Sequence, residues 1–209
     1  MDGVLVNIES SWDFVHKAFK IDGGDNFRRY LCGEFDYLEF MRKDIGLWGQ
    51  VHVNRIRKVL NQVPLMRGTE GTINLLRKNG YVTAIISSGL RILAEKLKKK
   101  LGLDHIFAND LLLDKDERLT GEGNPVVGLW DKNKVLQRLL KSLAITPNHC
   151  AVVGDSIFDV PLFDVAGFSI AFNSRDERVK NSADVSIESN DLRDILPHFI
   201  SSLKTRSVY

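Results

Sequence analysis

The sequence predicts an α/β protein: a parallel sheet flanked by helices, with a small helical segment inserted near its start. Three observations predict it. From residue 64 onward, short apolar runs alternate with stretches of helical periodicity, the grammar of a parallel sheet covered on both faces. Between about Glu9 and Gln62 only helical patterns occur. Several apolar runs end in clusters of Gly, Ser and Asp, the groups expected where ligands bind, outside the carboxyl ends of parallel strands.

In chain order, residues 1–8 read as the end of a strand and its loop. Trp12, Val15 and Phe19 recur at helical spacing after Ser10-Ser11, a pair able to cap a helix. Phe35 to Met41, then Val53, Ile56, Val59 and Leu60, continue the helical pattern. Gly68 to Lys78 reads as a helix stopped by Asn79-Gly80. Val82 to Ile86 is an apolar run ending in Ser87-Ser88-Gly89, and Leu93, Leu97 and Leu101 mark a helix closed by Gly102. Ile106 to Leu113 predicts a strand, and the glycines within Leu119 to Gly128 predict a hairpin. Val135, Leu136, Leu139, Leu140 and Leu143 form a helical stripe, and Cys150 to Val153 a buried strand running into Gly154-Asp155. Phe168 to Phe172 and Asp184 to Ile187 read as the last strands, and Leu192 to Leu203 as the final helix. The expected division is a core of residues 1–8 and 64–209 with a helical cap of residues 9–63.

A chain of 209 residues holds one large domain or a core with a smaller insertion. Net charge is only +2, and Lys96 with Lys98-Lys99-Lys100 lies on one expected helix. A solvated helix face is the reading of that run, not a nucleic-acid surface. Cys32 and Cys150 are far apart and are expected to be buried, reduced thiols. No apolar stretch approaches the roughly 20 residues that span a membrane, and nothing resembles a signal peptide, so a cytoplasmic protein is expected.

The chemistry-bearing residues collect at the predicted strand ends: Asp2-Gly3, Ser87-Ser88-Gly89, and Gly154-Asp155-Ser156 with Asp159. Lys132 opens the helix before the third of these strands, and its spacing to the Leu136 stripe favours it over Lys134. Carboxylates, a hydroxyl and an ammonium beside glycines suit a phosphate and a divalent metal, and oxygen ligands with retained waters suit Mg²⁺. Each residue also has a plainer reading: Asp155 and Asp159 as helix caps, Ser87 as a turn residue, Trp12 and Phe19 as core of the helical segment. Asp110, Asp114 and Asp116 read as a solvated loop.

Asp2-Gly3-Val4-Leu5, Ser87, Lys132 and Gly154-Asp155-Ser156-Ile157-Phe158-Asp159 stand in the order of the four signatures of the haloacid dehalogenase superfamily of aspartate-nucleophile phosphatases, and the chain resembles that superfamily over nearly its whole length. Glu9, the segment Cys32 to Lys43, Pro64 to Gly68, and Ile170-Ala171-Phe172-Asn173 resemble the phosphoserine phosphatase branch. The resemblance implies a Rossmann-like core with a helical cap inserted after the first strand. It implies that Asp2 acts as general acid and base, that Ser87 and Lys132 hold phosphate oxygens, and that Ser88 and Gly89 border the phosphate. Asp155, the Asp2 backbone and, from behind, Asp159 would serve Mg²⁺. Glu9 would meet a substrate ammonium and Arg42 its carboxylate. The plainer reading of Glu9 is a helix-start charge, and of Arg42 a surface residue.

Three departures accompany the resemblance. Met1 stands at the middle of the Asp-x-Asp loop, so the attacking Asp would precede it; a longer natural chain or a misplaced start is the expectation. Ser88 replaces a usual Gly, and Phe158 a usual Asn, which puts serine specificity in question. The expected activity is Mg²⁺-dependent hydrolysis of a small phosphorylated substrate, phosphoserine or a related phosphoester, with no nucleic-acid or membrane partner. The alternatives are a catalytically silent phosphate-binding protein and a phosphatase for another small phosphoester.

Overall fold

Residues 1–199 are described in the computed structural model of the chain. Four helices come first: α1 (Ser11–Phe19), α2 (Gly24–Leu31), α3 (Tyr37–Trp48) and α4 (Val53–Leu60). Their starts follow from their caps. The Ser10 hydroxyl accepts the Asp13 N–H at 3.3 Å, and the Asp36 carboxylate accepts the Glu39 N–H at 2.8 Å, which satisfies donors that an open helix end leaves bare. These helices share their core with the rest of the molecule. Val15, Met41, Ile45, Trp48 and Ile56 join Ile85, Leu93, Leu97 and Leu119 in one buried cluster. Trp12 stacks on Trp48 at 5.3 Å between ring centres.

After α5 (Thr69–Lys78) come β1 (Ala84–Leu90), α6 (Arg91–Leu101), β2 (His105–Leu113), β3 (Leu119–Asn124) and α7 (Lys132–Ser142). Then follow β4 (Ala151–Gly154), α8 (Val160–Phe163), β5 (Phe168–Phe172), α9 (Glu177–Ser182) and β6 (Val185–Ile187). A 3₁₀ turn, Leu192–Ile195, leads into helical residues 196–199; the remainder of the expected final helix, 200–203, lies outside the described residues.

The strands differ from one continuous parallel sheet. Among the described residues they form two three-stranded sheets, β1-β2-β3 and β4-β5-β6. β1 and β2 run parallel, as do all strands of the second sheet, but β3 returns antiparallel against β2. The expected hairpin is therefore made of β2 and β3 and turns at Asp114 to Arg118, where the Asp114 Oδ1 accepts the N–H groups of Asp116 and Arg118. The reading of residues 1–8 as a strand end is also corrected. The Leu5 N–H donates to the Met1 carbonyl at 2.8 Å and the Gly3 N–H to the Ile8 carbonyl at 2.7 Å, so the segment closes on itself as a turn, with isolated bridges only. Gly3 sits at φ +69°, a conformation that glycine adopts without strain.

The thiols also differ from expectation: Cys32 is exposed and Cys150 half-buried, and both are free. Among the described residues no helix is long and apolar enough to cross a membrane. The lysine-rich end of α6 is tied locally, Lys98 to the Asp104 carbonyl at 2.8 Å and Lys100 to Glu70 at 3.0 Å.

Candidate active site

The site begins with an irregularity in β1. Ile86 pairs with Phe107 and Leu90 with Asn109, so β1 advances four residues while β2 advances two. Ser87-Ser88-Gly89 stand opposite Ala108 alone and bulge out of the ladder at the carboxyl end of the strand. There the Ser87 Oγ accepts the Gly89 N–H at 3.0 Å, and the Ser88 carbonyl receives the Trp12 indole N–H at 3.0 Å and an Asn109 amide N–H at 2.9 Å. The Tyr37 hydroxyl lies 3.4 Å from the same carbonyl. The Ser88 hydroxyl donates to the Gly128 carbonyl at 3.2 Å, which faces it away from the bulge and toward the segment before α7.

The amino-terminal turn lies between this bulge and the end of β4. A Cβ on Gly89 would come within 2.9 Å of the Asp2 Oδ2, and one on Gly3 within 2.0 Å of the Asp155 Oδ2. Glycine at both positions is what allows the segments to approach so closely. The Asp2 Oδ2 accepts both the N–H and the hydroxyl of Ser11, each at 2.9 Å. Its Oδ1 is shut off from solvent and has no hydrogen-bond partner among the described residues. Burial pushes the Asp2 carboxyl above its usual range, against the opposing pull of the Met1 amino group, Ser11 and Lys132.

Lys132, the first residue of α7, is buried and reaches the Asp159 Oδ1 at 2.6 Å. The Asp159 Oδ2 accepts the N–H groups of Asp155 and Ser156 at 3.0 and 3.1 Å and the Ser156 hydroxyl at 3.1 Å, so this side chain folds its own loop. Burial alone would raise the Asp159 carboxyl, but the adjacent Lys132 ammonium, the Met1 amino group and the loop donors hold it well below the usual range. Asp155 goes the other way. Burial first, and then the charges of Asp159 and Asp2, raise it to about 7.

Asp2, Ser87, Gly89, Lys132, Asp155 and Asp159 thus come from separate segments to one seam. Three carboxylates meet there, with the Lys132 ammonium and the Met1 amino group as the positive charges acting on Asp155. The donor set is of oxygens. Among the described residues no three His, Cys, Asp or Glu side chains form a metal cage. A donor set of oxygens suits a hard cation that keeps several waters and takes one or two carboxylates.

Glu9 and Arg42 stand apart from this seam. The Glu9 side chain is 79% exposed, 3.6 Å from Arg175. Arg42 donates to Glu122 at 2.8 Å and to Glu39 at 2.7 Å on an exposed face. Neither is hydrogen-bonded or ion-paired to a seam residue among those described. Sequence reasoning missed Ser11 and Asn109. Ser11 reads in the sequence as part of a helix cap, and the signal for Asn109 is an amide amid the apolar residues Ile106 to Ala108 and Leu111 to Leu113; the structure buries it fully.

A model of the haloacid dehalogenase-like hydrolase family matches residues 3–164. The phosphoserine phosphatase of Methanocaldococcus jannaschii is 35% identical over 199 residues, covering 94% of this chain and 93% of its own. A substrate-bound phosphoserine phosphatase complex superposes with a TM-score of 0.82 at 31% identity, covering 95% of this chain and 94% of the other. A phosphoserine phosphatase carrying an analogue of its phospho-aspartyl intermediate superposes with a TM-score of 0.81, also at 31% identity, with 95% of each chain covered. A strand-end seam of carboxylates, hydroxyl and lysine on this fold, matched along most of its length, has one family assignment: the chain belongs to the haloacid dehalogenase-like hydrolases.

Proposed function

We propose that the chain is an Mg²⁺-dependent phosphomonoester hydrolase of the phosphoserine phosphatase type, acting on a small phosphorylated substrate. The observation that carries this reading is the seam itself, where Asp2, the Ser87 to Gly89 bulge, Asp155 and the buried Lys132–Asp159 pair meet. Similarity to phosphoserine phosphatases makes phosphoserine the first substrate to test.

The residues suit defined roles. Lys132 uses one N–H on Asp159 and has two more to give to phosphate oxygens. The Ser87 hydroxyl accepts from Gly89 and keeps its own proton for a phosphate oxygen. Asp2 is anchored through Oδ2 by Ser11; in this reading its carboxyl gives a proton to the leaving alcohol, and the carboxylate so formed draws one from water. The Asp155 carboxylate and the Asp2 backbone carbonyl would hold Mg²⁺, with Asp159 fixing the loop behind. Mg²⁺, when bound, would offset charge on the transferring phosphoryl group. Glu9 and Arg42 would have to exchange their present partners to meet a substrate ammonium and carboxylate.

The attacking carboxylate of this reading falls one residue ahead of Met1. The test therefore compares phosphate release from phosphoserine with Mg²⁺ by the 209-residue chain and by the same chain extended upstream with an apolar strand ending in Asp. Release by the extended form supports the reading. No release by either folded form, from phosphoserine or a wider phosphoester panel, would overturn it in favour of a silent phosphate binder.

A further inference from the structure

Beside the seam lies a wall of aromatic rings that the roles above leave unused. Phe158 rises from the loop that carries Asp155 and Asp159, immediately before Asp159 itself. Its ring meets Trp130 edge to face at 4.7 Å between centres and lies edge-on to Phe27 of α2 at 6.3 Å. Trp130 stands two residues before Lys132. One turn along α2, Tyr30 is close enough to Asp131 for that charge to add to the effect of burial on its hydroxyl, both raising it. Phe27 and Tyr30 in turn pack on Phe40 of α3, Tyr30 stacked at 5.1 Å. Rings from α2, from the loop behind Asp155 and from the segment leading into Lys132 thus converge at the edge of the phosphate site.

Two further facts give the wall a use. Trp130 is 48% exposed, so part of its ring is open to solvent beside the segment that carries Lys132, and a ligand covering it would bury apolar surface. The charged residues expected to read an amino-acid head group lie on exposed faces, Arg42 paired with Glu39 and Glu122 and Glu9 3.6 Å from Arg175.

We propose that Phe158, Trp130 and Phe27 set the specificity for the leaving group, and that the chain takes phosphomonoesters whose alcohol or phenol carries an aromatic body. The inference rests on the phosphate-site reading above and narrows its substrate class. Aromatic rings prefer edge-to-face and offset contacts with one another, and such contacts add to simple area burial.

Calorimetric binding in Mg²⁺ of phenyl phosphate, phosphoserine and inorganic phosphate, on both the 209-residue and the extended chain, tests it. Phenyl phosphate is expected to bind at least ~10-fold more tightly than inorganic phosphate, the scale on which apolar pockets discriminate. Trp130→Ala, at an exposed position where folding is little affected, should remove that advantage and leave inorganic phosphate unchanged. Phe158→Leu, which keeps an apolar side chain but not the ring, should remove most of it. In whichever chain turns over, kcat/KM for phenyl phosphate should fall more than that for phosphoserine in both variants. A chain that binds or hydrolyses phosphoserine but shows no advantage for phenyl phosphate, or keeps it in both variants, overturns the wall alone. A chain that binds no phosphate at all overturns the phosphate-site reading and the wall with it.

Discussion

Lys132 and Asp159 show how far a single pair can organise a site. The ammonium and the carboxylate are both buried, and Asp159 spends its second oxygen on the loop that positions Asp155. Removing one partner of a buried pair leaves an uncompensated charge and costs about 3–5 kcal/mol. Lys132→Met keeps the aliphatic stem and should therefore destabilise the chain by about that amount in urea unfolding. Adding Asp159→Asn should recover part of the loss, since the stranded charge is gone while an amide oxygen can still accept from the loop. A double variant no more stable than the single one would show that the loss lies in packing and not in charge. Asp155 and Asp159 could be picked out in the sequence because strand-end chemistry has a local signature, an apolar run, a glycine, then polar groups, and Lys132 because its spacing to the Leu136 stripe places it at the start of a helix. Phe27 and Trp130 could not, since their meeting at Phe158 joins residues distant in the chain. Glu9 and Arg42 rest on resemblance, which transfers a position; whether each meets a substrate depends on exchanging Arg175, Glu39 and Glu122 for it.

The bulge in β1 depends on Asn109 of β2. Its Oδ1 accepts the Val127 N–H at 2.8 Å, while its amide nitrogen faces the Ser88 carbonyl at 2.9 Å and the Val127 carbonyl at 3.0 Å. One side chain therefore fastens the Ser87 to Gly89 bulge to the segment that leads into Lys132. Asn109→Ala should cost about 1–3 kcal/mol for the buried Val127 N–H left without its acceptor. It should also speed hydrogen exchange at the Val127 amide well beyond the global change. Unchanged exchange there would mean that the segment is held by its packing. The helices and most strands were legible because periodicity and caps act within a few residues: Ser10, the Leu93 to Leu101 stripe and Gly102 suffice for α1 and α6. The bulge was not, because only pairing with β2 reveals that Ser87 to Gly89 belong to the strand. The closed turn at residues 1–8 was hidden for the same reason, its apolar Val4, Leu5 and Val6 reading equally well as a strand.

At the scale of the whole molecule, the two sheets meet at a line of charge. Asp2 and Gly3 lie between the end of β1 and the loop after β4, and among the described residues no ladder joins the sheets there. Asp155, raised to about 7 by burial and by the charges of Asp159 and Asp2, makes the seam sensitive to pH. The folded, metal-free chain holds a proton on Asp155 more tightly than the unfolded chain does. Stability from this group is therefore complete below the ordinary carboxylate value, 3.8, and is lost as pH rises to about 7. Asp2 is shifted in the same direction, whereas Asp159, lowered, loses its stabilising contribution only as pH falls below the ordinary range. Without metal, the melting temperature should therefore fall from mildly acidic to neutral pH, and Asp155→Asn should flatten that fall. Mg²⁺ binding to a carboxylate releases the proton, so added Mg²⁺ should raise the melting temperature more at pH ~8 than at pH ~5. Thermal unfolding at the two pH values, with Mg²⁺ or a chelator and with Asp155→Asn as control, measures this directly. An equal Mg²⁺ shift at both values, or one that survives the substitution, would place the ion away from Asp155 and leave the seam's charge to be balanced by protons alone.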